Sequence, residues 1–216
     1  VTDLTLDEMR LALAPAIADA AVFDGWSDAA LGSAAAMDGI DLDVARLAYP
    51  GGAMDMIAAW IESVDAAMTA ALPASALAAM KIRERIRALI EMRLGAVAGR
   101  EEALRRALAI MAMPQNLART ARLGWHSADV MWRLAGDTAT DYNHYTKRAI
   151  LASIYAATLA VFVDDRSDGK ADTHAFLGRR IDGVMRFEKA KAQLLRPSDE
   201  RFSFARFVGR LRYPSR

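Results

Sequence analysis

The stretch from Trp125 to Tyr155 narrows the folds open to this 216-residue chain more than any other. It holds two apolar helical patterns, separated by the polar turn Gly136-Asp137-Thr138-Ala139-Thr140-Asp141. Trp125, Trp132 and the cluster Tyr142, His144, Tyr145 flank the break. Apolar residues at helical spacing on both sides of a glycine-led polar turn predict a helical hairpin. The rest of the chain agrees. Alanine, leucine and methionine are plentiful and aromatic residues make up only 7%, so intrinsic preference favours helix nearly throughout. With 54% hydrophobic residues, the chain can bury a sizeable core as one domain or two closely joined ones. The expected class is all-α.

Residues 1–72 carry a distinct pattern. A helix opening at Thr5-Leu6-Asp7-Glu8 and ending at Asp24-Gly25 precedes two short helices, Ala29–Met37 and Leu42–Ala48, separated at Gly39. A longer helix follows the Tyr49-Pro50-Gly51-Gly52 turn and runs over Ala53–Leu72. Short helices joined at a glycine are the helix-turn-helix order. With Gly25-Trp26 and Arg46-Leu47-Ala48-Tyr49-Pro50, this order resembles the N-terminal domain of TetR-type repressors. The residue types oppose the function. Residues 1–80 hold two basic residues against twelve acidic ones, and residues 81–216 hold 26 against 15. A recognition segment reading Asp41-Leu42-Asp43-Val44-Ala45-Arg46 in such surroundings repels phosphate. The expectation is a retained scaffold without nucleic-acid binding.

Pro73 marks the expected junction to a second region, residues 73–196. Helices are predicted over Ser75–Ala98, Arg100–Ala112, Pro114–Ala135, Tyr142–Val163 and Asp172–Leu195. In the first of these, Ile82, Ile86, Leu89, Ile90, Leu94 and Val97 form the apolar stripe, and Arg93 is read with the solvated charges. Ala149–Val163 is uncharged and apolar nearly all round, which predicts burial on most sides. Methionine-rich, alanine-rich helices around it are compatible with two outcomes, an elongated apolar cavity or a filled alanine-rich core. Met92, Met111, Met131, Ile150, Ile154 and Leu159 are the candidate lining residues of such a cavity.

Residues 197–216 form a third region. Phe204, Phe207, Val208 and Leu211 fall at helical spacing, with Arg206 and Arg210 beside them. A basic helix with an aromatic face suits an anionic membrane surface, and equally an ordinary terminal helix docked on the body. No run reaches the ~20 apolar residues that span a bilayer. Residues 1–30 show no secretory pattern, and cysteine is absent. The chain reads as soluble, from a reducing compartment. No phosphate loop, zinc-protease motif or nucleophile elbow occurs. Glu-x-x-His, which di-metal bundles require, is also missing, and His126/Asp129 and Asp141/His144 are isolated pairs. Neither catalysis nor a cofactor or metal is expected.

Ser127-Ala128-Asp129-Val130-Met131-Trp132-Arg133-Leu134-Ala135-Gly136-Asp137 and Asp141-Tyr142-Asn143-His144-Tyr145-Thr146-Lys147-Arg148 through Tyr155 resemble the signature of the coenzyme Q biosynthesis protein nine family. Phe176-Leu177-Gly178-Arg179-Arg180-Ile181 fits it as well. The resemblance covers about residues 75–195. It implies a TetR-like helical fold without DNA binding and an isoprenoid or quinone lipid ligand, and the resemblance to TetR-type folds, which commonly dimerise through their last two helices, implies a homodimer. The coenzyme Q family resemblance also implies an accessory role in ubiquinone synthesis at the cytoplasmic face of a bacterial inner membrane. There a terminal amphipathic helix docks on the membrane and the lipid is presented to a di-iron hydroxylase. The family's hydroxylase-binding patch maps onto Asp129, Trp132 and Arg133, where the eukaryotic pattern has an aromatic residue at the last position. The alternative function is a TetR-type ligand-responsive transcriptional regulator; a structural subunit with a solid core is the third.

Overall fold

The computed structural model describes residues 4–138 and 142–195, and all elements among them are helical. Helix α1 (Leu6–Asp24) starts at a capping box in which Thr5 Oγ1 accepts from the Glu8 N–H and Glu8 accepts from the Thr5 N–H. Helices α2 (Asp28–Met37) and α3 (Leu42–Leu47) form the expected short pair, capped by Ser27 and Asp41. They meet at Gly39, whose φ of 66° suits glycine. Helix α4 (Ala53–Ala71) packs on α1 and crosses to the second region, where it meets α6, α7 and α8. The buried Trp26 ties the regions together: its Nε1–H donates to Ala103 O at 2.9 Å, and its ring lies 5.3 Å from that of Trp60.

The helix expected over Ser75–Ala98 is two helices, α5 (Ala74–Leu77) and α6 (Ile82–Val97). Lys81 is extended, and its N–H is capped by the Glu84 carboxylate at 3.0 Å. The Arg85 guanidinium collects the Ala78 and Met80 carbonyls, so side chains replace the helical ladder at the break. Ile82 therefore lies on the first turn of α6 and is exposed rather than part of the buried stripe. Helix α7 (Glu101–Met111) and α8 (Leu117–Leu134) are joined through a 3₁₀ turn at Pro114–Asn116. The Asn116 amide donates to Ile110 O and Thr120 Oγ1 donates to Met111 O, both at 2.8 Å, closing this corner.

Helices α8 and α9 (Tyr142–Phe162) form the hairpin, closed by a Schellman turn. Gly136 has φ 89°, the Asp137 N–H bonds Trp132 O, and the Gly136 N–H bonds Arg133 O. Burial on α9 is one-sided. Leu151, Ile154, Tyr155, Thr158, Leu159 and Phe162 face inward, while Ala149, Ser153, Ala156 and Ala160 are exposed in the single chain. Small side chains on the outer face made the segment look uniformly apolar without giving it much area to bury. A 3₁₀ turn (Asp168–Lys170) leads into α10 (Ala171–Leu195). Helices α1 to α9 and the start of α10, as far as Arg179, form one compact unit; a second begins at Arg180. The expected junction at Pro73 falls between α4 and α5, inside the first unit.

Candidate functional site

A cavity of about 540 Å³ opens among α4, α6, α7, α8 and α9. Helical phase explains its walls. Ile57, Trp60, Ile61 and Val64 recur every three or four residues along α4 and turn toward α8, and Leu104, Ala107, Leu108 and Met111 do the same on α7. Small residues where larger ones would close the space (Ala107, Ala121, Gly124, Ala152, Ala156) leave the room. A side chain at Gly124 would meet nothing within 4 Å at its first carbon. Ala112, Leu117 and Ala121 at the α7–α8 corner and Ala156 on α9 are exposed lining residues, so the cavity is open to solvent there, while Leu104, Ala107, Tyr155 and Leu159 line its buried part. Its volume is within the ordinary range for a small-molecule site.

Polar chemistry at the buried end comes from a closed triad. Arg93, 2% exposed, donates through Nη1 to Asp65 Oδ1 and through Nη2 to Ser127 Oγ at 3.3 Å. Ser127 Oγ in turn donates to Asp65 Oδ2 at 2.9 Å. The guanidinium carbon lies 4.8 Å from the centre of the Tyr155 ring. Burial opposes the charge on Arg93, but Tyr155 and Asp65 outweigh it and raise its pKa above the ordinary value. Arg93 thus belongs to the interior, not to the solvated face. The signal was present in the sequence: Arg93 lies three residues after Ile90 and four before Val97, in phase with the buried stripe. Asp65 stands likewise three residues before Met68.

A second polar cluster holds the hairpin. Arg148, also 2% exposed, donates to Asp129 at 2.5 Å and to Asp137 at 3.1 Å, and Lys147 reaches Asp137 at 2.6 Å. Arg133 pairs with the other Asp129 oxygen at 2.8 Å. The Trp132 Nε1–H donates to Lys147 O at 3.0 Å, and the Lys147 ammonium lies 5.5 Å from the Trp132 ring centre. Partial burial works against the charge on Asp129, but the hydrogen bond from Arg148 and the charges of Arg133 and Arg148 prevail and hold its pKa low.

Of the candidate lipid residues, Met111 and Leu159 line the cavity; Met92, Met131, Ile150 and Ile154 do not. Met131 is completely buried, on the part of α8 beyond the cavity, and Ile154 lies one residue before the lining Tyr155. Asp129, Trp132 and Arg133 share one end of the hairpin, with Arg133 exposed at its side chain and the other two half-buried and tied to α9. Phe204, Arg206, Phe207, Val208, Arg210 and Leu211 lie outside the described residues. On α3, Arg46 is paired with Asp28 and Asp43, and Asp43, Val44 and Leu47 are exposed beside it. Among the described residues, no group of three or more His, Cys, Asp or Glu side chains is arranged to hold a metal ion. None of the described helices is long and apolar enough to cross a membrane.

Residues 117–188, which carry α8, α9 and most of α10, match the family model described as COQ9. Over 100 residues the chain is 41% identical to the mitochondrial ubiquinone biosynthesis protein COQ9 of Rattus norvegicus, covering 46% of this chain and 32% of that protein. Its Homo sapiens counterpart is 39% identical over 100 residues, 46% of this chain and 31% of that one. The one from Drosophila melanogaster is 31% identical over 87 residues, 40% and 27% of the two chains. The match spans about a third of the length of these relatives or less. Among solved structures, a TetR transcriptional regulator from Nitrosomonas europaea superposes with a TM-score of 0.66 at 21% identity, over 82% of this chain and 98% of that one.

Proposed function

We propose that this chain, a COQ9-family member through residues 117–188 on a TetR-like fold, is a non-catalytic accessory protein of ubiquinone biosynthesis. It holds an isoprenoid or quinone lipid in the cavity and presents it to a membrane hydroxylase. The observation that carries this reading is the cavity itself: apolar walls on five helices, open to solvent, and partly formed by the hairpin of the matched segment. An apolar tail placed there leaves water without requiring polar partners. The names of the relatives support the pathway.

The exposed Arg133 and the half-buried Trp132 form the surface that meets the hydroxylase, while Asp129 keeps Arg133 oriented. Residues 197–216 dock on the anionic inner-membrane surface, a role supported by their basic and aromatic pattern. The chain works as a homodimer. Acidic neighbours on α3 and the engagement of Arg46 disfavour the regulator alternative, because phosphate binding needs uncompensated cations.

Gly124→Leu tests the cavity. Leucine is the better helix former and its first carbon meets open space, so folding stability stays equal or rises by about 0.5–1 kcal/mol. Its side chain occupies the site, so affinity for a fluorescent prenyl lipid, read by energy transfer from Trp60 and Trp125, falls at least about tenfold. Undiminished binding in a stable Gly124→Leu protein removes the cavity from the account. Arg133→Glu weakens co-purification with the hydroxylase without changing lipid binding.

A further inference from the structure

The buried end of the cavity carries a donor that the protein does not use. Arg93 spends its two terminal nitrogens on Asp65 and Ser127, yet its Nε–H has no protein acceptor. Among the described residues it is the only buried side-chain nitrogen or oxygen in that position. Arginine Nε–H is a strong donor, and leaving one buried without an acceptor is costly. Arg93 lines the cavity together with Ser127 and Tyr155, in walls otherwise almost wholly apolar.

We propose that Arg93 is the polar anchor of this cavity, and that the ligand is an apolar molecule ending in a neutral hydrogen-bond acceptor. This rests on the cavity reading above and adds the chemistry of the headgroup. Three features select that class. A plain hydrocarbon fills the walls but leaves Nε–H unsatisfied. A carboxylate loses its hydration and finds a triad whose formal charges cancel, with Asp65 close by to repel it. A headgroup that only donates leaves Nε–H unsatisfied, as the hydrocarbon does, because the guanidinium can only donate. The Tyr155 ring, stacked against the guanidinium, gives a flat headgroup an aromatic face beside the anchor.

The test uses the full chain and three probes sharing one tail: para-hexylacetophenone, hexylbenzene and para-hexylbenzoate. Each displaces the neutral fluorophore N-phenylnaphthylamine. The ketone is expected to bind about tenfold tighter than the hydrocarbon, the scale of one hydrogen bond to a charged donor, and the carboxylate weakest. Two variants locate the preference. Arg93→Lys keeps a charge beside Asp65 but places a methylene where Nε was. Arg93→Met with Asp65→Leu removes the pair together and leaves no buried unpaired charge. In both, the ketone and hydrocarbon converge while hydrocarbon affinity persists. Equal wild-type binding of all three probes, or a carboxylate that binds best, overturns the proposed headgroup. A ketone preference unchanged in both variants overturns the role of Arg93. Failure of the fluorophore and every probe to bind overturns the cavity reading itself, and the anchor with it.

Discussion

At the scale of single residues, two buried arginines organise the second region. Arg93 and Asp65 are 2% and 7% exposed at their side chains, so neither has water to fall back on. Arg93→Met alone strands the Asp65 carboxylate and is expected to lower unfolding free energy by about 3–5 kcal/mol; Arg93→Met with Asp65→Leu recovers most of that. Urea unfolding of the two proteins measures the difference, and equal losses would mean that the pair does not act as a unit. Charge type concealed these residues in the sequence. Arg93 and Asp65 stand in phase with apolar neighbours, as does Arg148, three residues before Leu151 and seven before Tyr155. Periodicity puts them inside and residue class puts them outside; the structure follows periodicity because each arginine is met by carboxylate from outside its own helix. The lipid candidates show the converse. Met92 and Met131 stand out by residue type, whereas the room in the cavity comes from the alanines and the glycine among its larger lining residues, through the volume they leave empty.

At the scale of elements, ends and turns set the geometry that the site inherits. Most boundaries were legible from caps, with Thr5, Ser27 and Asp41 opening three helices. The break between α5 and α6 was not, because Arg85 makes it by bonding carbonyls from Ala78, Met80 and Ala135 that no local pattern pairs. The hairpin turn depends on Gly136. Its φ is 89°, and an added Cβ would lie 3.1 Å from Arg85 Nη1. Gly136→Ala is expected to cost about 1–2 kcal/mol, from the left-handed backbone and the crowding together, visible as a lowered Tm.

At the start of α10, Asp165 accepts from the Ser167 hydroxyl and N–H and from the Thr173 hydroxyl and N–H. Hydrogen bonds from Ser167 and Thr173 hold its pKa far below 3.8. The sign follows: a carboxylate with a depressed folded pKa contributes fully above the unfolded value, and the contribution fades as pH falls toward the folded one. Thermal unfolding followed from about pH 6 down to about pH 2 should show this acid loss in the parent, and a shallower one in Asp165→Asn, which has no proton to gain.

At the scale of the whole molecule, charge is divided by region. The acidic excess lies in the N-terminal helices, and the basic excess collects beyond residue 80. Fluorescence anisotropy with a mixed-sequence duplex at about 150 mM salt should detect no binding. For residues 197–216, Phe204→Asp with Phe207→Asp is expected to abolish sedimentation with anionic liposomes while leaving circular dichroism and cavity binding unchanged, since two charges replace the aromatic face. All-helical class and hairpin were readable from composition and spacing. The shape of the cavity was not, because it arises where five helices separated in sequence fail to fill the space between them.

The proposed function requires that this space hold a lipid. Organic extraction of the purified protein and of Gly124→Leu, followed by mass spectrometry of the extracts, tests this. A prenylated or quinone-type neutral lipid is expected in the parent at near-stoichiometric amount, and a strongly reduced amount in Gly124→Leu. Parent extracts free of lipid, or equal lipid in both proteins, would contradict it.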